Sequence, residues 1–406
     1  MKILMLTPQI PYPPRQGTAL RNWGLLQGVA AKHQVSLLSF VAPDQSADPP
    51  PAPLASLVES LALIPQPARS LKDRLWDVVT SPLPDLALRL QSPSFRERLA
   101  AWLADRTFDW VFVEGLEMTP YLDVLGDVER PPRIVLDEHN CEYLLQQRAF
   151  TSDLKHPRRW LGAAYSFLQW QRLRRYEARV CRRANLVVAV SDADAGSIRA
   201  LVPEVEPLVI PNGIAVSDHA AVDEQTSLEQ PAFVFTGTMD FRPNVDGALW
   251  FVHEVWPRIR AVLPNAHFYV VGKRPHRRLD PLRTVPGVAL TGAVADTRPF
   301  IHAAAVYVVP LWVGGGTRFK ILEASAMGKA IVSTTLGAEG FADVSRAVML
   351  ADDAGAFADA CVRLVHDPAL SAEFSMRART FVAAYDWQVL LPRLLVRLDE
   401  EEGAAA

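Results

Sequence analysis

Three cysteines in 406 residues, Cys141, Cys181 and Cys361, lie far apart and form no CxxC pair. Such a set supports neither a disulfide framework nor a zinc site, and it points to a reducing compartment, the cytosol. No run of about 18 uncharged apolar residues occurs, so no membrane-spanning helix is expected. The N-terminal apolar run stops after Leu6. That is too short for the hydrophobic stretch of a secretion signal, and it reads as a buried first strand. No internal period of about 20–50 residues recurs, which excludes a solenoid. Charge of one sign is lacking too: 42 Lys and Arg against 45 Asp and Glu leave a net charge of −3. A nucleic-acid binder is expected to carry a positive excess, so no nucleic-acid partner is expected. There is no GxGxxG after the first strand and no GxxxxGK[ST], which argues against a nicotinamide dehydrogenase and a P-loop nucleotidase. No spaced His, Cys and Asp set suggests a metal, and no cofactor is expected.

What is present is core-forming material. Half the residues are hydrophobic and 21% are charged, a composition that folds. Short apolar runs alternate with amphipathic stretches of helical length. In the first half the runs are Lys2–Leu6, Val35–Phe40, Leu61–Ile64, Trp110–Val113, Arg133–Leu136, Leu186–Val190 and Leu208–Ile210. In the second half they are Phe233–Thr236, His267–Val271, Val288–Thr291, Val306–Val309, Ala330–Ser333 and Val348–Leu350. Most are continuous and do not alternate, as parallel strands covered by helices on both faces require. Leu20–Lys32 and Asn244–Leu263 have helical spacing. The pattern predicts an α/β protein with two doubly wound, Rossmann-like sheets. The expected domains are 1–212 and 213–385, with a final helix over 386–406. Pro211-Asn212-Gly213 marks the turn between the two halves, and Ala42–Pro53 reads as a surface excursion.

Open α/β sheets bind ligands beyond the carboxyl ends of their strands, so the loops after strands are the places to search. After the first strand, Gly17 precedes a helix and leaves room for an anion at its N-terminus, although an ordinary turn glycine would read the same. In the second half, Phe235–Asn244 runs from strand through Gly237 into a helix, and Arg242 stands near that helix's start. The strongest local signal is LWVGGGTRFKILE, Leu311–Glu323. Glycines there let backbone approach a pyrophosphate, and the helix predicted from about Thr317 adds N–H donors. Arg318 and Lys320 add positive charge, and Glu323 can accept ribose hydroxyls. Together they describe a nucleoside-diphosphate site.

The segments Phe235–Asn244, Phe268–Gly272, Val288–Val294 and above all VYVVPLWVGGGTRFKILEASAMGKAIVSTTLGAEGF (Val306–Phe341) resemble the nucleotide-binding half of GT-B glycosyltransferases of family 4, glycosyl transferases group 1. The first half matches more loosely, through MKILMLTPQIPYPPRQGTALRN, IVLDEHNCEY, ANLVVAVSDADA and VIPNGI, and together the segments of both halves are similar to a sugar-transferase branch of bacterial exopolysaccharide clusters. The resemblance implies a GT-B fold and a nucleotide-sugar donor held by the second domain. It implies transfer with retained anomeric configuration and without metal, and a last helix that returns to the first domain. It gives Glu323 to ribose, Arg242 and Lys320 to phosphate with Arg318 competing, Val294 and Lys273 to the base, and Gly17 to the diphosphate. The family's first paired glutamate would fall at Gly315, eight positions before Glu323. A related branch carries this glycine, and the backbone of Gly315, Gly316 and Thr317 would then serve. His139 resembles a first-domain histidine that faces the donor sugar, with Asp137, Glu138 and Glu142 as nearby acids.

The segment Lys155–Arg183 carries nine Lys and Arg, interleaved with Trp160, Phe167, Leu168 and Trp170, and opposed only by Glu177. Such a helix can lie on an anionic membrane and bring the enzyme to a glycan or lipid-linked acceptor at its inner face. A solvated helix with core aromatics would read alike. A GT-B nucleotide-sugar epimerase or hydrolase, or a non-catalytic nucleotide-sugar binder, would share the donor site.

Overall fold

The computed structural model describes residues 1–406 except 15–16, 44, 46–48, 155–159, 221–225, 314–317 and 404–406. All thirteen apolar runs are strands. In the first half they are β1 (Lys2–Thr7), β2 (Gln34–Val41), β3 (Ser60–Pro65), β4 (Trp110–Glu114), β5 (Arg133–Glu138), β6 (Leu186–Ala189) and β7 (Leu208–Val209). In the second they are β8 (Ala232–Thr236), β9 (His267–Val271), β10 (Val288–Gly292), β11 (Val306–Val309), β12 (Ile331–Ser333) and β13 (Met349–Leu350).

The strands form two sheets, ordered β3-β2-β1-β4-β5-β6-β7 and β10-β9-β8-β11-β12-β13. Each pairing is parallel. Parallel neighbours need a long return, and helices supply it, covering both faces. The strand order reverses between β1 and β4 in one sheet and between β8 and β11 in the other. A crevice opens at the carboxyl ends of strands at such a point.

The chain divides into two compact units, Met1–Pro211 with Leu391–Ala406, and Asn212–Leu390. The first division falls at the Pro211-Asn212-Gly213 turn. The second falls inside the final helix, Trp387–Gly403. Trp387 and Leu390 pack against Gly213 of the second unit, and Leu391 against Gly28 of the first. Each unit has its own aromatic core. Phe40, Phe95 and Tyr121 stack in the first, with two centroid separations of 4.4 Å. Phe251 and Phe268 stack at 4.3 Å in the second, beside Trp256 and Phe233.

Two helices differ from expectation. The stretch read as one helix over Asn244–Leu263 is Arg242–Trp250, a π turn over Phe251–Val255, then Trp256–Val262. Pro257 has no N–H to donate to the turn before it, and the ladder widens there. The basic segment is a helix over Trp160–Arg183, while 155–159 lie outside the described residues. Glu177, read as opposing the arginines, is fully buried, and its Oε2 accepts the Tyr143 N–H at 2.9 Å. Its charge is not on the exposed face.

Candidate active site

In the second unit, polar groups gather where the strand order reverses. β8 leads through Gly237 to the helix that starts at Arg242. β11 leads through the glycine run to the helix Phe319–Ala326, whose N-cap is Arg318. That start lies two residues beyond the expected Thr317. Gly315, Gly316 and Thr317 themselves lie outside the described residues. Lys320, in the first turn, reaches across the reversal. Its Nζ donates to Thr236 O at 3.0 Å and Asn244 Oδ1 at 2.9 Å, and sits 4.7 Å from the centre of the Phe235 ring. These partners are neutral. Burial pulls the Lys320 pKa down to about 7, against the opposing pull of Glu323. A half-buried ammonium whose hydrogen-bond partners among the described residues are neutral oxygens is a prepared seat for an anion.

Arg242 is exposed at the head of its helix and pairs with Asp246 at 3.2 Å, while Asp246 also takes Arg278 at 2.7 Å. Arg318 is buried, and burial lowers its pKa. Glu323 is half-buried one turn beyond Lys320. Burial raises its pKa, and His219 and Lys320 oppose the rise. Lys273 follows β9, and its carbonyl accepts the Met239 N–H at 2.9 Å. Val294 follows β10, half-buried against the core. A β-carbon at Gly272 would fall 1.7 Å from the Gly237 carbonyl oxygen, so only glycine lets the loops after β8 and β9 meet.

In the first unit, Gly17 is the exposed first residue of the helix Gly17–Ala30. From that helix Arg21, 1% exposed, places Nη2 and Nε on the two Asp137 oxygens at 2.5 and 2.6 Å. Its Nη1 donates to Ile210 O at 3.0 Å. Beyond β5, His139 Nε2 lies 3.3 Å from Asp137 Oδ2 and 3.4 Å from Glu114 Oε2. The Asn22 amide, with nitrogen turned toward acceptors, donates to Glu114 Oε2 at 2.9 Å and to Thr18 O at 3.2 Å. Burial lowers the His139 pKa, but hydrogen bonds to Asp137 and Glu114 outweigh it and raise it to about 10. The two acids thus favour the protonated ring. Burial pushes Asp137 up, and the Arg21 guanidinium beside it holds it well below the usual carboxylate range. Glu114 is pushed up to about 8, first by burial and then by the Asp137 charge.

Sequence reasoning missed Arg21, Asn22 and Glu114. One signal was available: Arg21 falls among Ala19, Leu25, Leu26 and Val29 on the buried stripe of its helix, where an arginine demands a partner. Nor did the sequence foresee that ligand-capable atoms of Glu114, Asp137 and His139 lie within 4.8 Å of one another. Arg21 engages both oxygens of Asp137. Arg21, Asp137 and His139 form an ion-pair network, while Glu114 Oε1 is buried without a hydrogen-bond partner among the described residues.

Two doubly wound units with polar loops at the carboxyl edges of their sheets define the GT-B class. Sucrose-phosphate synthase from Thermosynechococcus elongatus shares the fold, with a TM-score of 0.71 at 17% identity over 100% of each chain. So does Anabaena HepE in complex with UDP-glucose, with a TM-score of 0.65 at 14% identity over 98% of this chain and 100% of that one. The family model for glycosyl transferases group 1 matches residues 230–367, and that for Glycosyltransferase Family 4 matches residues 17–218. Phosphatidyl-myo-inositol mannosyltransferase of Mycolicibacterium smegmatis is 28% identical over 210 residues, 48% of this chain and 52% of that protein. The chain thus spans about half the length of the curated relative it matches. It belongs to the group 1 glycosyltransferases, family 4.

Proposed function

We propose that the chain moves a sugar from a nucleoside-diphosphate sugar to an acceptor hydroxyl, with retained configuration and no metal. The second unit holds the donor and the first receives the acceptor. The observation that carries this reading is Lys320: half-buried, in hydrogen-bond contact, among the described residues, with neutral oxygens only, and set at the strand-order reversal of the second sheet. Arg242, Arg318 and Lys320 bind the diphosphate, Glu323 accepts the ribose hydroxyls, and Val294 and Lys273 border the base. Gly17 and the backbone of Gly315, Gly316 and Thr317 have the phosphate and sugar roles that the family resemblance gives them. As the anomeric C–O bond breaks, its electron pair passes to the leaving phosphate oxygen, and the three cations stabilise that charge. The acceptor oxygen bonds to the anomeric carbon from the same face, and its proton goes to the leaving phosphate. His139 donates to a hydroxyl of the transferred sugar.

The relative whose name joins mannosyl transfer to a phosphatidylinositol supports a lipid-linked or glycan acceptor, of the kind used to build an exopolysaccharide. Among the described residues no helix is long and apolar enough to cross a membrane. Contact would instead be peripheral, from the cytosolic side. On the helix Trp160–Arg183, Trp160 and Leu161 are 62% and 92% exposed, and Arg174, Arg175 and Arg179 are exposed. Arg172 of this helix donates to Val78 O at 2.8 Å, joining it to the helix Leu71–Thr80, where Leu75, Trp76 and Val79 are exposed. Apolar residues beside arginines suit an anionic bilayer. No co-sedimentation with anionic liposomes at low salt would remove the membrane part.

Thermal-shift screening against UDP-, GDP- and ADP-sugars tests the core of the reading. A matching donor raises the midpoint, because it binds the native state alone. Arg242→Ala with Lys320→Ala should abolish that shift and cut turnover at least about a hundredfold. Wild-type turnover in the double variant would defeat the assignment.

A further inference from the structure

A lysine ammonium has three N–H donors. Those of Lys320 meet Thr236 O at 3.0 Å and Asn244 Oδ1 at 2.9 Å. Both partners are themselves fixed. Thr236 ends β8, and its hydroxyl lies 2.6 Å from the Tyr307 hydroxyl of β11, with both residues buried. Asn244, 6% exposed, belongs to the first turn of the helix Arg242–Trp250. Its Nδ2 donates to Thr238 O at 2.9 Å. That bond settles which way the amide faces, nitrogen toward a carbonyl and oxygen toward the ammonium. A turned amide would set its N–H groups against the cation.

Gly237 lies beside this contact. A β-carbon there would fall 2.6 Å from Asn244 Nδ2 and 3.2 Å from Lys320 Nζ. The missing side chain leaves the room in which amide and ammonium meet. Two bonds stop a tetrahedral ammonium from rotating, so the direction of its third N–H is fixed as well. Of the charged groups around Lys320, Glu323 on the same helix favours the ammonium and Arg318 at the N-cap opposes it. Arg242, on the helix of Asn244, pairs with Asp246.

We infer that Asn244 is a positioning residue for the donor: its amide, anchored on the loop after β8, aims the third N–H of Lys320 at the diphosphate. A neutral amide does this without cancelling the charge, as a carboxylate at the same place would. The inference rests on the proposed donor site and adds the residue that fixes its cation.

Two measurements on the full chain test it. Carbon NMR of the Lys320 side chain, followed against pH without ligand, reads the ammonium. Calorimetry with UDP, GDP and ADP, from mildly acid to mildly alkaline pH, reads the diphosphate. Asn244→Asp should raise the Lys320 titration midpoint by at least about one pH unit and move the alkaline fall in nucleotide affinity with it. At neutral pH it should also weaken nucleotide binding about tenfold, because the charge is already met. Asn244→Leu, of similar size without an acceptor, should move the midpoint the other way and weaken binding about tenfold. Asp matches Asn in shape, so it keeps the test open if Asn244→Leu fails to fold. In a Lys320→Arg background Asn244→Asp should leave the pH profile flat, since a guanidinium does not titrate there. A residue that only supported its helix would lower melting in both variants and move the midpoint in neither. A midpoint unmoved by Asn244→Asp, or wild-type nucleotide affinity in that variant, overturns the inference, and nucleotide binding by the wild type then spares the proposed function. Shifted midpoints in a chain whose wild type binds no nucleotide keep Asn244 as the residue that fixes Lys320 and sink the proposed function instead.

Discussion

Arg21 is buried and Lys320 half-buried, and the two cations differ in what meets their charge. Arg21 has a carboxylate at 2.5 Å. Among the described residues Lys320 has only neutral oxygens, and burial, with the nearby Arg318 charge, carries its pKa to about 7 against the pull of Glu323. A bound diphosphate would restore the charge, so donor binding above that pH must take up a proton. Affinity for a nucleoside diphosphate should then fall up to about tenfold per pH unit above neutrality. Lys320→Arg, always charged, should flatten the profile even where it binds less tightly. Calorimetry in buffers of different ionisation heat would show the proton directly, and a flat wild-type profile would mean that Lys320 does not meet the phosphate. Arg21→Met makes the opposite case. It leaves Asp137 buried without its guanidinium and should cost about 3–5 kcal/mol in urea unfolding. The sign of its pH dependence follows from Asp137, whose pKa is depressed in the fold. The stability due to the pair is present above the ordinary aspartate pKa and is lost as pH falls toward the folded value. Wild type and Arg21→Met should therefore converge in acid and diverge toward neutrality.

At the scale of elements, the sheets were legible because buried parallel strands leave short, continuous apolar runs rich in Val, Ile, Leu and Phe. The β8, β11 and β12 stretches are examples: their residues are almost all apolar, and they end at Gly237, Pro310 and Thr334. Contacts between elements were less legible. Arg21 and Asp137 are 116 positions apart, and no local pattern joins them. Glu177 looked like a counter-charge on a basic helix because spacing alone does not say which side of a long helix faces the core. Of the candidate site, Lys273 lies in the loop after β9, and Arg242 and Lys320 lie at the starts of the helices that follow β8 and β11. The seating of Lys320 on the β8 carbonyl and of His139 between two carboxylates depends on tertiary approach. Gly272 shows how strict that approach is. Gly272→Ala would drive a β-carbon into the Gly237 carbonyl, and backbone cannot yield as a side-chain end can. A loss of about 1–3 kcal/mol is expected. Because Thr236 and Gly237 belong to the same turn, nucleotide affinity should fall as well. A variant with wild-type melting and wild-type nucleotide affinity would show that the two loops are free to part.

For the molecule as a whole, the order of the chain and the order of its packing disagree. The first unit is completed by residues that follow the entire second unit. Leu391, Leu394, Leu395 and Leu398 of the final helix are buried, at 7%, 1%, 4% and 0% exposure, while Val389 is 54% exposed. Leu391 rests on the Gly17–Ala30 helix at Gly28, and Arg133 at the start of β5 donates to the Glu401 carbonyl. The last helix thus holds elements that begin the chain, and its removal would uncover part of their core. Leu398→Ala should cost about 2–5 kcal/mol. The cost should be local in space and remote in sequence. Hydrogen exchange should quicken in the Gly17–Ala30 helix and in β1, where cores open first when their packing is thinned. The strands of Asn212–Leu390, with a core of their own, should keep their protection. Should exchange quicken equally in β8 and β11, the two units would share one cooperative transition, and the final helix would be stabilising the entire chain.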